Sequence, residues 1–258
     1  MSKIWRLHHT GPIEGPGQSV VLESTEAHHA ARVLRLRPGD PMAIFDGHGR
    51  EWSATIASCD RSGTVVRVVQ ELLEPVEPPL TVRLYQGRCR ADRMEWLIQK
   101  ATELGVTSIH SVVCERGETR RVAPQRLRRW QRIAVEACKQ SGRRRVPTVE
   151  CREKLPPAGG SPALMCAPGS ASTSLAEALV SLGASDEVWL AVGPESGFDN
   201  GELERSEASG WQPVSLGPRT LRAETAALVA VAVVLHCWGD LGRGPGGGSR
   251  VDSPSGGP

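Results

Sequence analysis

Leu190-Ala-Val-Gly-Pro-Glu-Ser-Gly-Phe198 runs an apolar strand straight into a Gly-Pro turn that carries one carboxylate, Glu195. The same grammar returns in Ser215-Leu-Gly-Pro-Arg-Thr-Leu-Arg-Ala-Glu-Thr225. There a strand meets a Gly-Pro turn, then two arginines, then a helix start bearing Glu224. A third loop, Cys166-Ala-Pro-Gly-Ser170, follows another apolar strand. Glycine lacks a Cβ, so such loops let backbone amides and carbonyls come close to a ligand. The plainer reading is that the turns only connect elements and that Glu224 complements a helix dipole. Two ionisable Gly-Pro loops after successive buried strands keep both readings open, a site and a pair of connectors.

Working outward, the surrounding rhythm is strand then helix. Residues 80–86 read as a β-branched, apolar strand. Asp92 opens a helix with Glu95 three residues later, in the manner of a capping box. Met94, Leu97, Ile98, Ala101 and Leu104 then recur at helical spacing up to Gly105. A strand over 107–114 and a helix from Pro124 to Gly142 follow. Further strands are expected near 162–166, 187–192 and 213–216, with helices near 173–182, 200–208 and 223–238. Alternation of this kind predicts an α/β fold, a parallel sheet with helices on both faces. In such sheets ligands gather at the carboxyl ends of the strands.

Upstream, Glu74-Pro-Val-Glu-Pro-Pro79 continues neither helix nor sheet and reads as a linker. Residues 1–75 carry short strand patterns at 19–22, 41–45, 52–57 and 64–69, with a hairpin signal at Asp46-Gly-His-Gly49. A short helix is expected over 24–34, capped by Ser24 or Thr25. The division is therefore a small β-barrel over 1–75, a larger α/β domain over 76–240, and a Gly/Ser/Pro-rich tail over 241–258, read as disordered.

Charge is unevenly spread. Between Arg116 and Arg145 eleven basic residues face only Glu118 and Glu136, so this stretch carries +9 in a chain whose net charge is +2. Ten of the eleven are arginines, whose forked guanidinium suits phosphate oxygens and base faces. A salt-dependent grip on a nucleic-acid backbone is the expectation; a solvated helix face is the alternative.

Several classes are excluded. With 39% hydrophobic and 23% charged residues the chain is neither disordered throughout nor fibrous. Seven scattered cysteines, an odd number with no CxxC, argue against a disulfide framework and a structural zinc. No metal is expected, because the pairs His8-His9 and His28-His29 place adjacent side chains that do not converge on one ion. No GxGxxG follows a strand and no GxxxxGK[ST] occurs. Gly193-Pro-Glu-Ser-Gly197 sets its serine one place late for a nucleophile elbow. The longest apolar run, 226–235, is too short for a bilayer, and no signal segment is read at the N-terminus. Both point to a cytoplasmic protein that makes no membrane contact.

Taken in order, four segments resemble one family: His28-His-Ala-Ala-Arg-Val-Leu-Arg-Leu-Arg-Pro-Gly-Asp40, Met94-Glu-Trp-Leu-Ile-Gln-Lys-Ala-Thr-Glu-Leu-Gly-Val106, Gly193-Pro-Glu-Ser-Gly-Phe198 and Leu216-Gly-Pro-Arg-Thr-Leu-Arg-Ala-Glu-Thr225. Together with Glu136-Ala-Cys-Lys-Gln-Ser-Gly-Arg-Arg-Arg-Val-Pro147 they look like the RsmE-type 16S rRNA (uracil-N3) methyltransferases of the SPOUT superfamily. The resemblance spans roughly residues 5–240. It implies a PUA-like β-barrel followed by a SPOUT-type parallel sheet with a C-terminal trefoil knot, a topology that general rules make rare. It also implies S-adenosylmethionine as cofactor, small-subunit rRNA as substrate, and a homodimer.

By position, the resemblance assigns the cofactor to Met165, Ala167, Gly193, Pro194, Glu195, Gly197, Leu216, Gly217, Arg219 and Leu221. Arg222 is the candidate for stabilising charge on the base, and Glu195 or Glu224 for accepting its proton. RNA contacts are expected from Arg32, Arg35, Arg88, Arg93, Lys100, Arg116, Arg143, Arg144 and Arg145. The family usually has glycine where Ser196 stands; a positive φ there would cost serine about 1 kcal/mol. Two other classes are compatible with the sequence. One is a non-catalytic RNA-binding assembly factor with the same fold. The other is a hydrolase using Ser196 or Ser170, to which no His or Asp is motif-linked.

Overall fold

Burial alternates along Gly63–Glu71 and through the middle of Glu51–Asp60, as a sheet with one apolar face requires. The computed structural model describes residues 4–60, 63–74, 76–118, 121–167, 169 and 173–242; residues 243–258 of the tail expected over 241–258, and Ser170, lie outside them. Contacts divide the chain into two units, one of residues 1–77 with 134–146, the other of residues 78–133 with 147–258.

In the first unit, β1 (Trp5–His8), β2 (Ser19–Val21), β3 (Pro41–Phe45), β4 (Glu51–Asp60) and β5 (Gly63–Glu71) form one sheet in the order β1-β3-β4-β5-β2. The β3–β4 hairpin is closed as its Asp-Gly signal suggests: Asp46 Oδ1 accepts from the backbone N–H of His48, Gly49 and Arg50. Leu7, Val20, Ile44, Trp52, Ile56, Val66 and Val68 make its core, each contributing about 1.5–3 kcal/mol by burial. The sequence pattern passed over β1, a four-residue strand that pairs in parallel with β3. The short helix forms as α1 (Ser24–His28) and runs on into a π-helical stretch, His29–Val33. Its N-cap is Glu23, without a side-chain cap, not Ser24 or Thr25.

Charge is built into this unit's interior. Arg144 Nε donates to Glu51 Oε2 at 2.9 Å, and Arg6 Nε to Glu51 Oε1 at 2.6 Å. Arg143 Nη2 donates to Glu77 Oε2 at 2.8 Å, while Lys139 pairs with Glu26 and Glu136. Arg143 and Arg144 are only 4% and 6% exposed. This corrects their expected place on an RNA-facing surface: they strut residues 134–146 against the sheet. Stripping either of its partner would strand a buried charge, which costs several kcal/mol.

The second unit carries β6 (Thr81–Gly87), β7 (Ser108–Val112), β8 (Thr148–Arg152), β9 (Ala163–Cys166), β10 (Glu187–Val192) and β11 (Gln212–Val214). Their order is β11-β9-β10-β6-β7-β8, and every neighbouring pair is parallel. Its helices are α2 (Ala91–Leu104), α4 (Leu175–Leu182), α5 (Asn200–Ala208) and α6 (Ala223–Cys237); α3 (Pro124–Ser141) starts here and ends among the residues of the first unit. Tyr85, Ala191 and Met165 share a cluster with Leu203 of α5, whereas α6 packs on β10, β6, α2 and α4. Successive strand residues point to opposite faces, so helices cover both sides. The capping box expected at Asp92 does not form; α2 starts after Arg90, and Glu95 instead accepts from Arg129 Nε at 2.6 Å. True boxes cap α4 (Ser174 with Glu177) and α5 (Asp199 with Glu202). Among the described residues no helix is long and apolar enough to cross a membrane.

Candidate functional site

Three strand ends stand level in the second unit. Val192 is in register with Cys166, and Cys166 with Val214. Because β9, β10 and β11 are parallel neighbours, the loops that leave them emerge at one edge of the sheet. Between those loops lies a cavity of about 390 Å³, within the usual span for small-molecule sites, roughly 300–1,000 Å³. Ala167, Gly193, Pro194, Glu195, Gly197, Leu216, Gly217, Arg219 and Leu221 all line it. Nine of the ten expected cofactor positions therefore converge. Met165 does not line it: its side chain is fully buried in the cluster with Tyr85 and Leu203, beneath the loop. Phe198, Leu203 and Ala226 add apolar wall, and Arg116 stands at the rim.

The β10 loop is pinned from several sides. Gly197 takes φ +71° and its N–H bonds the Pro194 carbonyl at 2.9 Å. The left-handed position thus falls on a glycine, and Ser196 carries no positive φ; Arg35 alone does among the described non-glycine residues. Ser196 Oγ donates to the Arg116 carbonyl at 2.6 Å. A hydroxyl whose proton is held by a backbone carbonyl rather than by a base is no activated nucleophile. Gly87 admits a close approach, since a Cβ there would stand 2.5 Å from Pro194 N and Cδ. Gln86, fully buried, donates from Nε2 to the carbonyls of Gly87 at 3.0 Å and Gly193 at 3.1 Å. Sequence reasoning missed Gln86, although a lone amide closing an apolar strand was its visible signal.

Beside the cavity a second recess of about 280 Å³ is lined by Arg90, Asp92, Arg93, Trp96, Arg222 and Glu224. Arg222 is the exposed N-cap of α6 and belongs to this recess, not to the cavity. Arg93 Nη1 donates to Glu195 Oε1 at 3.1 Å, and its Nε lies 3.8 Å from Glu224 Oε1. Glu224 is 7% exposed, and its Oε2 has no hydrogen-bond partner among the described residues. Burial, aided by the nearby charges of Glu195 and Glu224, pushes the Cys89 thiol up to about 12; burial alone pushes Cys166 up to about 12. Both stay neutral near pH 7 and are poor nucleophiles.

The remaining basic positions sort by environment. Arg32, Arg35, Arg116 and Arg145 are exposed. Arg88 is buried, its Nε donating to Ser111 Oγ at 3.3 Å, which corrects its expected place on the RNA surface. Lys100 holds Glu103 at 2.8 Å. Among the described residues no three His, Cys, Asp or Glu side chains gather as metal ligands.

The family described as RNA methyltransferase domain matches residues 76–235, and that described as RNA methyltransferase PUA domain matches residues 22–69. The ribosomal RNA small subunit methyltransferase E of Synechocystis is 35% identical over 224 residues, covering 84% of this chain and 72% of that protein. The protein of the same name from Mycobacterium tuberculosis is 32% identical over 238 residues, covering 88% of this chain and 90% of its own length. Among solved structures, the Neisseria gonorrhoeae ribosomal RNA small subunit methyltransferase E, bound to S-adenosyl methionine, superposes with a TM-score of 0.80 at 32% identity, covering 93% of this chain and all of that one. A Legionella pneumophila methyltransferase in complex with the same cofactor gives 0.83 at 30% identity, with the same coverage. With a PUA-like unit ahead of a parallel-sheet α/β unit and relatives matched along nearly its whole length, the chain belongs to the RNA methyltransferase family that includes the ribosomal RNA small subunit methyltransferases E.

Proposed function

We propose that this chain transfers a methyl group from S-adenosylmethionine to N3 of a uridine in 16S rRNA. One observation carries the reading: the level ends of β9, β10 and β11 put nine expected cofactor positions around one cavity, with a charged recess next to it. The cavity's chemistry fits the group. Val192, Phe198, Leu203 and Leu221 offer apolar wall to a purine, and Glu195 sets a carboxylate beside a cation. When bound, that cofactor supplies an electrophilic methyl on a positively charged sulfur.

The chain's own residues do the rest. Uracil N3 carries a proton that must leave before the nitrogen accepts a methyl, and Glu224 or Glu195 takes it. Deprotonation leaves negative charge on the base's carbonyl oxygens, which Arg222 meets as a preplaced cation, with Arg219 the second candidate. Loops pinned by Gln86 and Ser196 hold reactants in line, where orientation alone supplies much of the rate. Residues 1–75 and the exposed Arg32, Arg35, Arg116 and Arg145 grip the surrounding RNA, and residues 76–240 do the chemistry.

The same reading includes a homodimer, a trefoil knot among the β9–β11 loops and a cytoplasmic site of action. The half-exposed apolar stripe of α6, Leu228, Val229, Ala232 and Val233, supports the dimer. The test is mass spectrometry of nucleosides from small-subunit RNA incubated with purified protein and methyl-labelled S-adenosylmethionine. Labelled 3-methyluridine is expected. RNA that is bound yet unlabelled would instead indicate a non-catalytic assembly factor.

A further inference from the structure

We propose that the recess lined by Trp96, Arg93, Arg222 and Glu224 is the seat of the acceptor base, with Trp96 as its stacking surface; the assignment rests on the methyl-transfer reading above. Trp96 is 45% exposed, whereas the other six tryptophans are buried or half-buried. It lies off the buried stripe of α2, which is Met94, Leu97, Ile98 and Ala101, so packing does not account for an indole there. Bare aromatic faces beside cations are what unstacked bases settle on.

The recess also matches one base edge. Uracil presents an N3–H donor between two carbonyl acceptors. Glu224, with one carboxylate oxygen lacking a partner among the described residues, accepts from such a donor, and the guanidinium groups of Arg222 and Arg93 donate to the carbonyls. Cytosine would set the N3 lone pair against the carboxylate. The recess adjoins the cavity along one stretch of chain: Leu221 and Ala223 line the cavity, Arg222 and Glu224 the recess, and Arg93 spans the two through Glu195. A base on Trp96 is thereby brought to the carboxylates that would take its proton.

Two substitutions at this exposed position test the assignment without threatening the core. The first measurement titrates a short oligouridine RNA into protein saturated with S-adenosylhomocysteine. Wild-type tryptophan emission should be quenched saturably, and that component should vanish in Trp96→Phe. In methyl transfer to small-subunit RNA, Trp96→Ala should lose roughly ten- to hundredfold in kcat/KM. Trp96→Phe should stay within a few fold of wild type, with calorimetric affinity for S-adenosylmethionine unchanged in both. Full kcat/KM in Trp96→Ala, quenching that persists in Trp96→Phe, or no wild-type quenching overturns the base seat and leaves the cofactor cavity standing. A wild type that binds no S-adenosylmethionine overturns the methyl-transfer reading and this assignment with it.

Discussion

Arg93 donates from Nη1 to Glu195 Oε1 at 3.1 Å, and this bond joins α2 to the loop that walls the cavity. The same guanidinium reaches Glu224 at 3.8 Å, so one side chain sets the spacing of the two carboxylates proposed to take a proton from the base.

Arg93→Ala should therefore cost activity far more than stability. A partly exposed pair of this kind contributes no more than about 1 kcal/mol to folding, while misplacing catalytic groups costs roughly ten- to hundredfold in rate. Steady-state methylation and thermal unfolding of the same preparation check both halves.

Arg144→Ala should do the reverse. Its Nε sits 2.9 Å from Glu51 in a buried pair, and removing one partner costs about 3–5 kcal/mol. Arg145→Ala, at an exposed neighbour, should change stability by less than about 0.5 kcal/mol and reduce the salt dependence of RNA binding. Urea unfolding and filter-binding at several salt concentrations separate the two arginines.

These neighbours show where the sequence stops being legible. The run Arg143-Arg144-Arg145 reads as a basic patch, and only the fold brings Glu77 and Glu51, some 66 or more positions away, to the guanidinium groups of Arg143 and Arg144. Periodicity places most strands and helices of the second unit well, because elements such as α2 and β10 bury a regular apolar stripe. It misses β8, an edge strand with Val149 its one buried residue, and the four-residue β1. The cavity loops after β10 and β11 are visible as Gly-Pro turns after apolar strands. Arg93 as the link between two carboxylates is not, since nothing local marks a partner 102 residues away.

Ser196→Ala should leave the fold intact and loosen the loop. It removes the 2.6 Å bond to the Arg116 carbonyl, and a net contribution of about 0.5–1.5 kcal/mol corresponds to roughly two- to tenfold weaker cofactor binding. Ser196→Gly should weaken it at least as much, because Gly197 already supplies the positive φ. Calorimetry on the two variants is the check.

Stability should fall as pH drops below neutrality. Burial, reinforced by Arg152, lowers His110 to about 4, with Arg152 Nε donating to its Nδ1 at 3.1 Å. Between an unfolded value near 6.5 and that folded value, the unfolded chain binds more protons, so acid favours unfolding by up to about 3 kcal/mol. Burial lowers His8 and His9 too, in the same sense. Urea midpoints at pH 7, 6 and 5 should decline, less steeply in His110→Gln.

The convergence of three loops on one methyl donor is tested most directly by calorimetric titration of S-adenosylmethionine into wild type and Leu221→Trp, whose indole would fill the cavity. The expected result is saturable binding to the wild type, one donor per chain, and affinity reduced roughly tenfold or more in the variant. Equal affinity in the two proteins, or no heat in either, would contradict it.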